Sequence, residues 1–489
     1  MRRGILMEDE QATAVCPPQA DRWTRLALGH RTRYLGISAL LAWQYCLWFE
    51  PAAFPRVALL ADTIIFGWLA ALGSAALTLL TLARALGRRR HLPRHPAWGW
   101  IAAGTGAAGT IAMTLGAARA ATPAPALAVC AVIGACGAVL WVAWGESLAR
   151  LRARFTMSRL GLAHGCFLLG CLTLMELLPG LWAPSFAAAL PLFSAWLLDR
   201  QQRALRGAPH PVLLPAKLSR PGARAIATVS LIAFAAAYVC CYTVGIVPQE
   251  ALTGVRPAFA WGIALGAAMM LAAAGGQFAP PRRCSVFRIF PWLVTLTVTA
   301  CALYLSDGVP ASFAFLLALA ISSLLEVLLT AYLGGLTLRG YTSAAVAFAL
   351  SGGATKLGVA LGSATALLYE RVPGWREALV APTFLIMIVG LTGVLIALVR
   401  QEYAISELVG DNRRTSDLEA AVAAVAAEFK LSERERQVAD LIGRGYTAAA
   451  VAETLVISQY TVNTHIGHIY EKTGIHKRAE LIRYLHRRP

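Results

Sequence analysis

Long apolar runs recur along the first 400 residues, each about the length of a bilayer-spanning helix and set off from the next by a short polar or basic connection. The pattern predicts twelve membrane helices, at 34–49, 57–83, 98–118, 124–148, 160–178, 181–198, 225–247, 257–278, 286–306, 311–337, 341–369 and 379–399. After residue 400 the period changes. Apolar positions now fall three and four apart, as on amphipathic helices that cover a water-facing core. Leu418, Val422, Val425 and Phe429 keep that spacing behind Ser416, which is expected to cap a linking helix. Ser432 and Glu435 form a capping box for a helix carrying Val438, Leu441 and Ile442, ended by Gly443 and Gly445. Thr447 is expected to cap a short second helix with Val451, Ala452 and Leu455 on one face. Ser458 caps a third helix, Gln459 to Lys472, closed by Gly474, and a fourth runs from about Lys477 to His486. The predicted fold is all-α: a polytopic membrane bundle of about twelve helices, then a small four-helix domain. The expected boundaries are a tail over 1–33, a membrane domain over 34–400, a helical linker over 401–430 and the C-terminal domain over 431–489.

Composition sharpens this picture. Only 14% of residues are charged and 57% are hydrophobic, which excludes an ordinary soluble enzyme. The last 89 residues hold twelve cations and twelve acids, so the whole excess of +18 lies in the apolar part. Positive loops stay cytoplasmic. With the N-terminus inside, 25 Lys and Arg residues fall on cytoplasmic segments, against five (Arg56, Arg119, Arg256, Arg371 and Arg376) on the opposite side. Both termini are therefore expected in the cytoplasm and the chain in the inner membrane. Glu8, Asp9 and Glu10 interrupt the first apolar residues, so no signal peptide is expected. Ten cysteines without a CxxC pair, and histidines without partners at ligand spacing, point to no metal or other cofactor. Phosphate-loop, HExxH and GxSxG motifs are absent, so no enzymatic activity is expected.

The central connection, about 199–224, carries Pro209, Pro211, Pro215 and Pro221 and divides the apolar runs six and six. That plan resembles the major facilitator superfamily of transporters in architecture, although the 82–90 loop lacks the acidic residue of that family's signature. The C-terminal residues carry a more specific likeness. Leu431-Ser432-Glu433-Arg434-Glu435-Arg436-Gln437-Val438, Ile457-Ser458, Thr461-Val462, His465, Ile469-Tyr470, Lys472, Gly474-Ile475 and Arg478-Ala479-Glu480-Leu481 resemble the LuxR-type DNA-binding domain. The resemblance implies a helix-turn-helix whose third helix enters the major groove. It gives Thr461 a phosphate contact, Asn463 and Thr464 groove-facing positions, His465 a structural role, and Lys472 and Arg478 contacts to the DNA backbone. Gln459 and Tyr460 open the same helix and join the DNA-binding candidates. Asn463 stands where the family usually has Lys, and Gly467 where it is often basic; Asn can pair bidentately with adenine.

One feature of the membrane part adds candidate chemistry. Glu326 and Lys356 lie midway along the tenth and eleventh predicted helices, at similar distances from Arg339 in the turn between them. Charges at that depth are costly, so both should face the bundle interior, as a static ion pair or as a ligand or switch site. The function expected is a membrane-tethered one-component transcription regulator that senses a small molecule or a membrane stimulus through its helical membrane domain, with promoter DNA, the lipid bilayer and a small-molecule effector as partners, binding DNA as a homodimer. The alternatives are a secondary transporter with an accessory DNA-binding tail, and a scaffold for a cytoplasmic protein.

Overall fold

The computed structural model describes residues 33–54, 62–89, 96–116, 123–151, 157–204, 220–247, 258–276, 289–306, 310–338, 342–410, 412–443, 446, 448–455, 457–476 and 478–487. All elements among them are helical. The chain divides into two compact units, Met1–Val399 and Arg400–Pro489.

The membrane part holds helices α1 (Leu35–Trp48), α2 (Asp62–Arg89), α3 (Pro96–Leu115), α4 (Ala124–Arg150), α5 (Met157–Leu177) and α6 (Trp182–Ala204). The second set is α7 (Arg220–Ile246), α8 (Ala258–Gly276), α9 (Ile289–Tyr304), α10 (Ala311–Leu338), α11 (Ala344–Arg371) and α12 (Trp375–Gly410). Each of the twelve predicted apolar runs thus becomes a helix, but eight among the described residues are long and apolar enough to cross a membrane. The chain is a multi-pass membrane protein on that ground. The short α1 is apolar all round and buried at nearly every position, as expected of a helix enclosed by its neighbours. Three spans run well past their expected ends: α2 continues through its basic residues to Arg89, α6 reaches Ala204 instead of 198, and α12 reaches Gly410 instead of 399. No Pro interrupts these extensions, so the helix continues after the apolar run ends.

Packing follows the six-plus-six division. Within the first set α2 packs on α4, α3 on α4 and α6, and α1 on α5 and α6. Within the second, α7 packs on α10 and α11, and α10 on α8 and α9. The two sets meet where α2 packs on α11 and α5 on α8. Helices in lipid gain little from hydrophobic exclusion and associate through close backbone approach. Gly358 and Gly362 of α11 supply it, since a Cβ at either would come within 2.4 or 2.2 Å of the Phe234 or Tyr238 carbonyl oxygen of α7.

The C-terminal unit contains α13 (Asn412–Glu428), α14 (Glu433–Gly443), α15 (Ala448–Leu455), α16 (Gln459–Thr473) and α17 (Arg478–Arg487). Its core gathers Leu418, Val422 and Val425 of α13 with Val438, Ile442, Val451, Val462, Ile469, Leu481 and Leu485. The linking helix is therefore part of the domain core. It begins at Asn412, a turn before the expected cap at Ser416, because nothing in Asn-Arg-Arg-Thr interrupts the helix. Residues 1–32, Pro209, Pro211, Pro215, Arg339, Gly445, the Thr447 cap and Lys477 lie outside the described residues.

Candidate functional site

The capping box sets the geometry of the C-terminal unit. The Ser432 amide donates to Glu435 Oε2 at 2.6 Å and the Glu435 amide donates to Ser432 Oγ at 3.3 Å, fixing the start of α14. At α16 the Thr461 amide donates to Ser458 Oγ at 3.0 Å, and Gly474 ends the helix with φ +68°, a left-handed conformation that suits glycine. Val462 and Ile469 anchor the helix in the core. The opposite face is open: Gln459, Tyr460, Asn463, Thr464, Gly467 and Glu471 are exposed, with Tyr460 at 82%. Four of the candidate residues thus share one face, next to a helix N-terminus whose amides favour an anion such as a phosphate. Thr461 sits at the edge of that face, its hydroxyl 2.8 Å from Ser458 Oγ, and Thr464 donates back to the Tyr460 carbonyl at 3.1 Å.

Lys472 and Arg478 are placed differently. Lys472 Nζ donates to Glu435 Oε2 at 2.7 Å and to the Lys430 carbonyl at 3.3 Å. Arg478 donates to the Tyr446 carbonyl at 2.6 Å. Both cations therefore bind groups of their own domain. Glu435 is 4% exposed. Its burial would push the carboxyl up, but the Lys472 ammonium and the Ser432 amide outweigh that and hold it down at about 2. Sequence reading assigned Glu435 to the cap alone, because no local spacing links it to a residue 37 positions away.

In the membrane unit, Lys356 Nζ of α11 donates to Glu326 Oε1 of α10 at 2.7 Å. The second carboxylate oxygen accepts from the Tyr45 hydroxyl of α1 at 3.2 Å, so the pair of the second helix set is bonded to the first set. Both ions border an open-mouthed cavity lined by α1, α2, α4, α10 and α11. Gln44 and Trp141 join them on its wall. His164 of α5 is fully buried within electrostatic reach of Glu326. Tyr45, Gln44, Trp141 and His164 were not singled out by sequence; isolated polar or aromatic residues inside apolar runs carry no signal of which way they face.

Comparison with known proteins fits this division. The family model described as bacterial regulatory proteins, luxR family, matches residues 430–485. An HTH-type transcriptional regulator from the exeN 3′ region of Aeromonas salmonicida is 42% identical over 66 residues, 14% of this chain and 33% of that protein. The oxygen regulatory protein NreC of Staphylococcus aureus is 41% identical over 54 residues, 11% of this chain and 25% of that protein. The chain thus spans a third or less of the length of these relatives. In fold, the chain is similar to the human organic anion transporter MFSD10 (TETRAN), with a TM-score of 0.51 and 15% identity over 78% of this chain and 100% of that one. Residues 430–485 therefore form a helix-turn-helix domain of the LuxR family, joined in one chain to a helical membrane domain with a transporter-like fold.

Proposed function

We propose that the chain is a membrane-tethered one-component transcription regulator. A small molecule held in the cavity beside Glu326 and Lys356 biases the arrangement of the two helix sets, and the LuxR-type domain binds promoter DNA at the inner surface of the cytoplasmic membrane. The observation that carries this reading is the exposed face of α16 on a LuxR-family domain, in one chain with a membrane domain that contains a largely apolar cavity bordered by an ion pair. Gln459, Tyr460, Asn463 and Thr464 read bases or shape, Thr461 and the helix N-terminus meet a phosphate, and two copies bind adjacent half-sites. The fold likeness to a transporter supports a second reading, a secondary transporter with an accessory DNA-binding tail.

The regulator reading needs the tail in the cytoplasm. Reporter fusions after Arg90, Arg159, Arg206, Arg283 and Arg400 should read cytoplasmic, and fusions near Ala52, Pro123, Gly180, Val309 and Pro373 external. An external reading at Arg400 would place the tail away from DNA and end the proposal.

A further inference from the structure

We infer that the cavity between α1, α2, α4, α10 and α11 takes an uncharged, largely apolar molecule that carries an oxygen acceptor. This rests on the sensing reading above and adds the chemical class of the effector. Three observations lead to it.

The first is charge. Glu326 and Lys356 close on each other at 2.7 Å, and the remaining carboxylate oxygen is covered by the Tyr45 hydroxyl. The pair is neutral as a unit. A net charge brought beside it inside a bilayer would stand without a counter-ion or would have to open the pair, and either is costly.

The second is the hydrogen-bonding capacity of the wall. Most of its donors are already engaged within the protein: Trp141 Nε1 donates to the Phe348 carbonyl at 3.1 Å, Ser351 to the Ala347 carbonyl and Thr355 to the Ser351 carbonyl, each at 2.8 Å. Two donors are left over. The Gln44 side-chain amide nitrogen is buried with no hydrogen-bond partner among the described residues. Lys356 has three N–H bonds and one of them is on Glu326. A buried donor without an acceptor is unfavourable, and a carbonyl or ether oxygen on the ligand would relieve it.

The third is shape and position. The rest of the wall is apolar, including Leu40, Leu41, Leu79 and Leu329, and the cavity opens at its mouth. Gln44 belongs to the first helix set and Lys356 to the second. A ligand oxygen shared between them touches both sets, which gives it the differential contact a switching ligand needs.

The test uses the full chain in lipid nanodiscs and three naphthalene probes of one shape, followed by equilibrium dialysis: the neutral ketone 2-acetylnaphthalene, the anion 2-naphthoate and the cation 2-naphthylmethylammonium. The ketone should bind saturably and at least about ten-fold more tightly than either ion. Gln44→Leu, which removes the unpaired amide at similar volume, should weaken the ketone about ten-fold or more while the melting temperature is unchanged or higher. Ketone binding unaffected by Gln44→Leu would overturn the proposal, since the probe would be held elsewhere. Tighter binding of an ion, also weakened by Gln44→Leu, would overturn the class while leaving the cavity as the sensing site. Absence of saturable binding by all three would overturn both the class and the sensing role of the cavity.

Discussion

The ammonium of Lys472 on α16 lies 2.7 Å from the carboxylate of Glu435 on α14, which makes the helix expected to read DNA and the helix that opens the domain two sides of one ion pair. The same carboxylate caps α14 through the Ser432 amide, so a single buried side chain fixes both elements. Docking of α16 thereby depends on a group that titrates.

The first prediction concerns that titration. With Glu435 at about 2 when folded and 4.5 as its ordinary value, the unfolded chain binds the proton more readily. Its contribution is therefore fully present above about pH 4.5 and is lost as pH falls toward 2, roughly 3 kcal/mol in all. Urea unfolding of residues 400–489 at pH 7 and pH 3 should show the loss, and Glu435→Gln should remove this part of the pH dependence. A Glu435→Gln variant with an unaltered acid profile would show that other carboxylates govern it.

Lys472→Ala takes the cation from a carboxylate that is 4% exposed. The C-terminal unit should lose about 2 kcal/mol of stability, and Glu435→Gln on the same background should recover much of it. The salt dependence of DNA binding should stay unchanged, because the amine is held by Glu435 and the Lys430 carbonyl. A slope reduced by about one would instead show that Lys472 reaches a phosphate.

Asn463 and Thr464 are exposed on the face of α16 opposite the anchors Val462 and Ile469. If they read base edges, Asn463→Ala should change the ranking of DNA sites by about 1 to 3 kcal/mol without unfolding the domain. Equal losses at every site in a binding-site selection experiment would assign Asn463 to the backbone instead.

The legibility of the chain differs between its two parts for a physical reason. Lipid imposes one requirement on every span, so apolar length alone located twelve helices, and the loop cations suggested their direction. The capped helices of the tail were equally readable, because Ser432, Glu435, Ser458 and Gly474 act on neighbours within a few residues. Contacts between distant positions were not, apart from the pair of Glu326 and Lys356, whose similar distances from the intervening turn put them at one depth. Tyr45 reaches Glu326 across 281 residues and Lys472 reaches Glu435 across 37, and no periodicity encodes either. The start of α13 was misplaced for the opposite reason: Ser416-Asp417-Leu418-Glu419 has the composition of a cap but lies inside a helix already under way.

Glu326 and Lys356 give a prediction for the membrane unit. Lys356→Ala leaves the carboxylate, among the described residues, with the Tyr45 hydroxyl alone, and the variant should lose folded protein or response. The exchange Glu326→Lys with Lys356→Glu should restore folded yield, measured by monodisperse elution in detergent, because the pair can close in either direction. Recovered yield without recovered transcriptional response would place the pair in the switch. Wild-type yield and response in each single alanine variant would remove both roles.

The central claim is that this membrane chain binds DNA through α16, and sequencing the chromosomal fragments crosslinked to the tagged full-length protein tests it most directly. Discrete enriched sites should appear, recovered from the membrane fraction and lost when Tyr460, Asn463 and Thr464 are changed together to Ala. Fragments distributed as in an untagged control, or sites that persist in the triple variant, would contradict it.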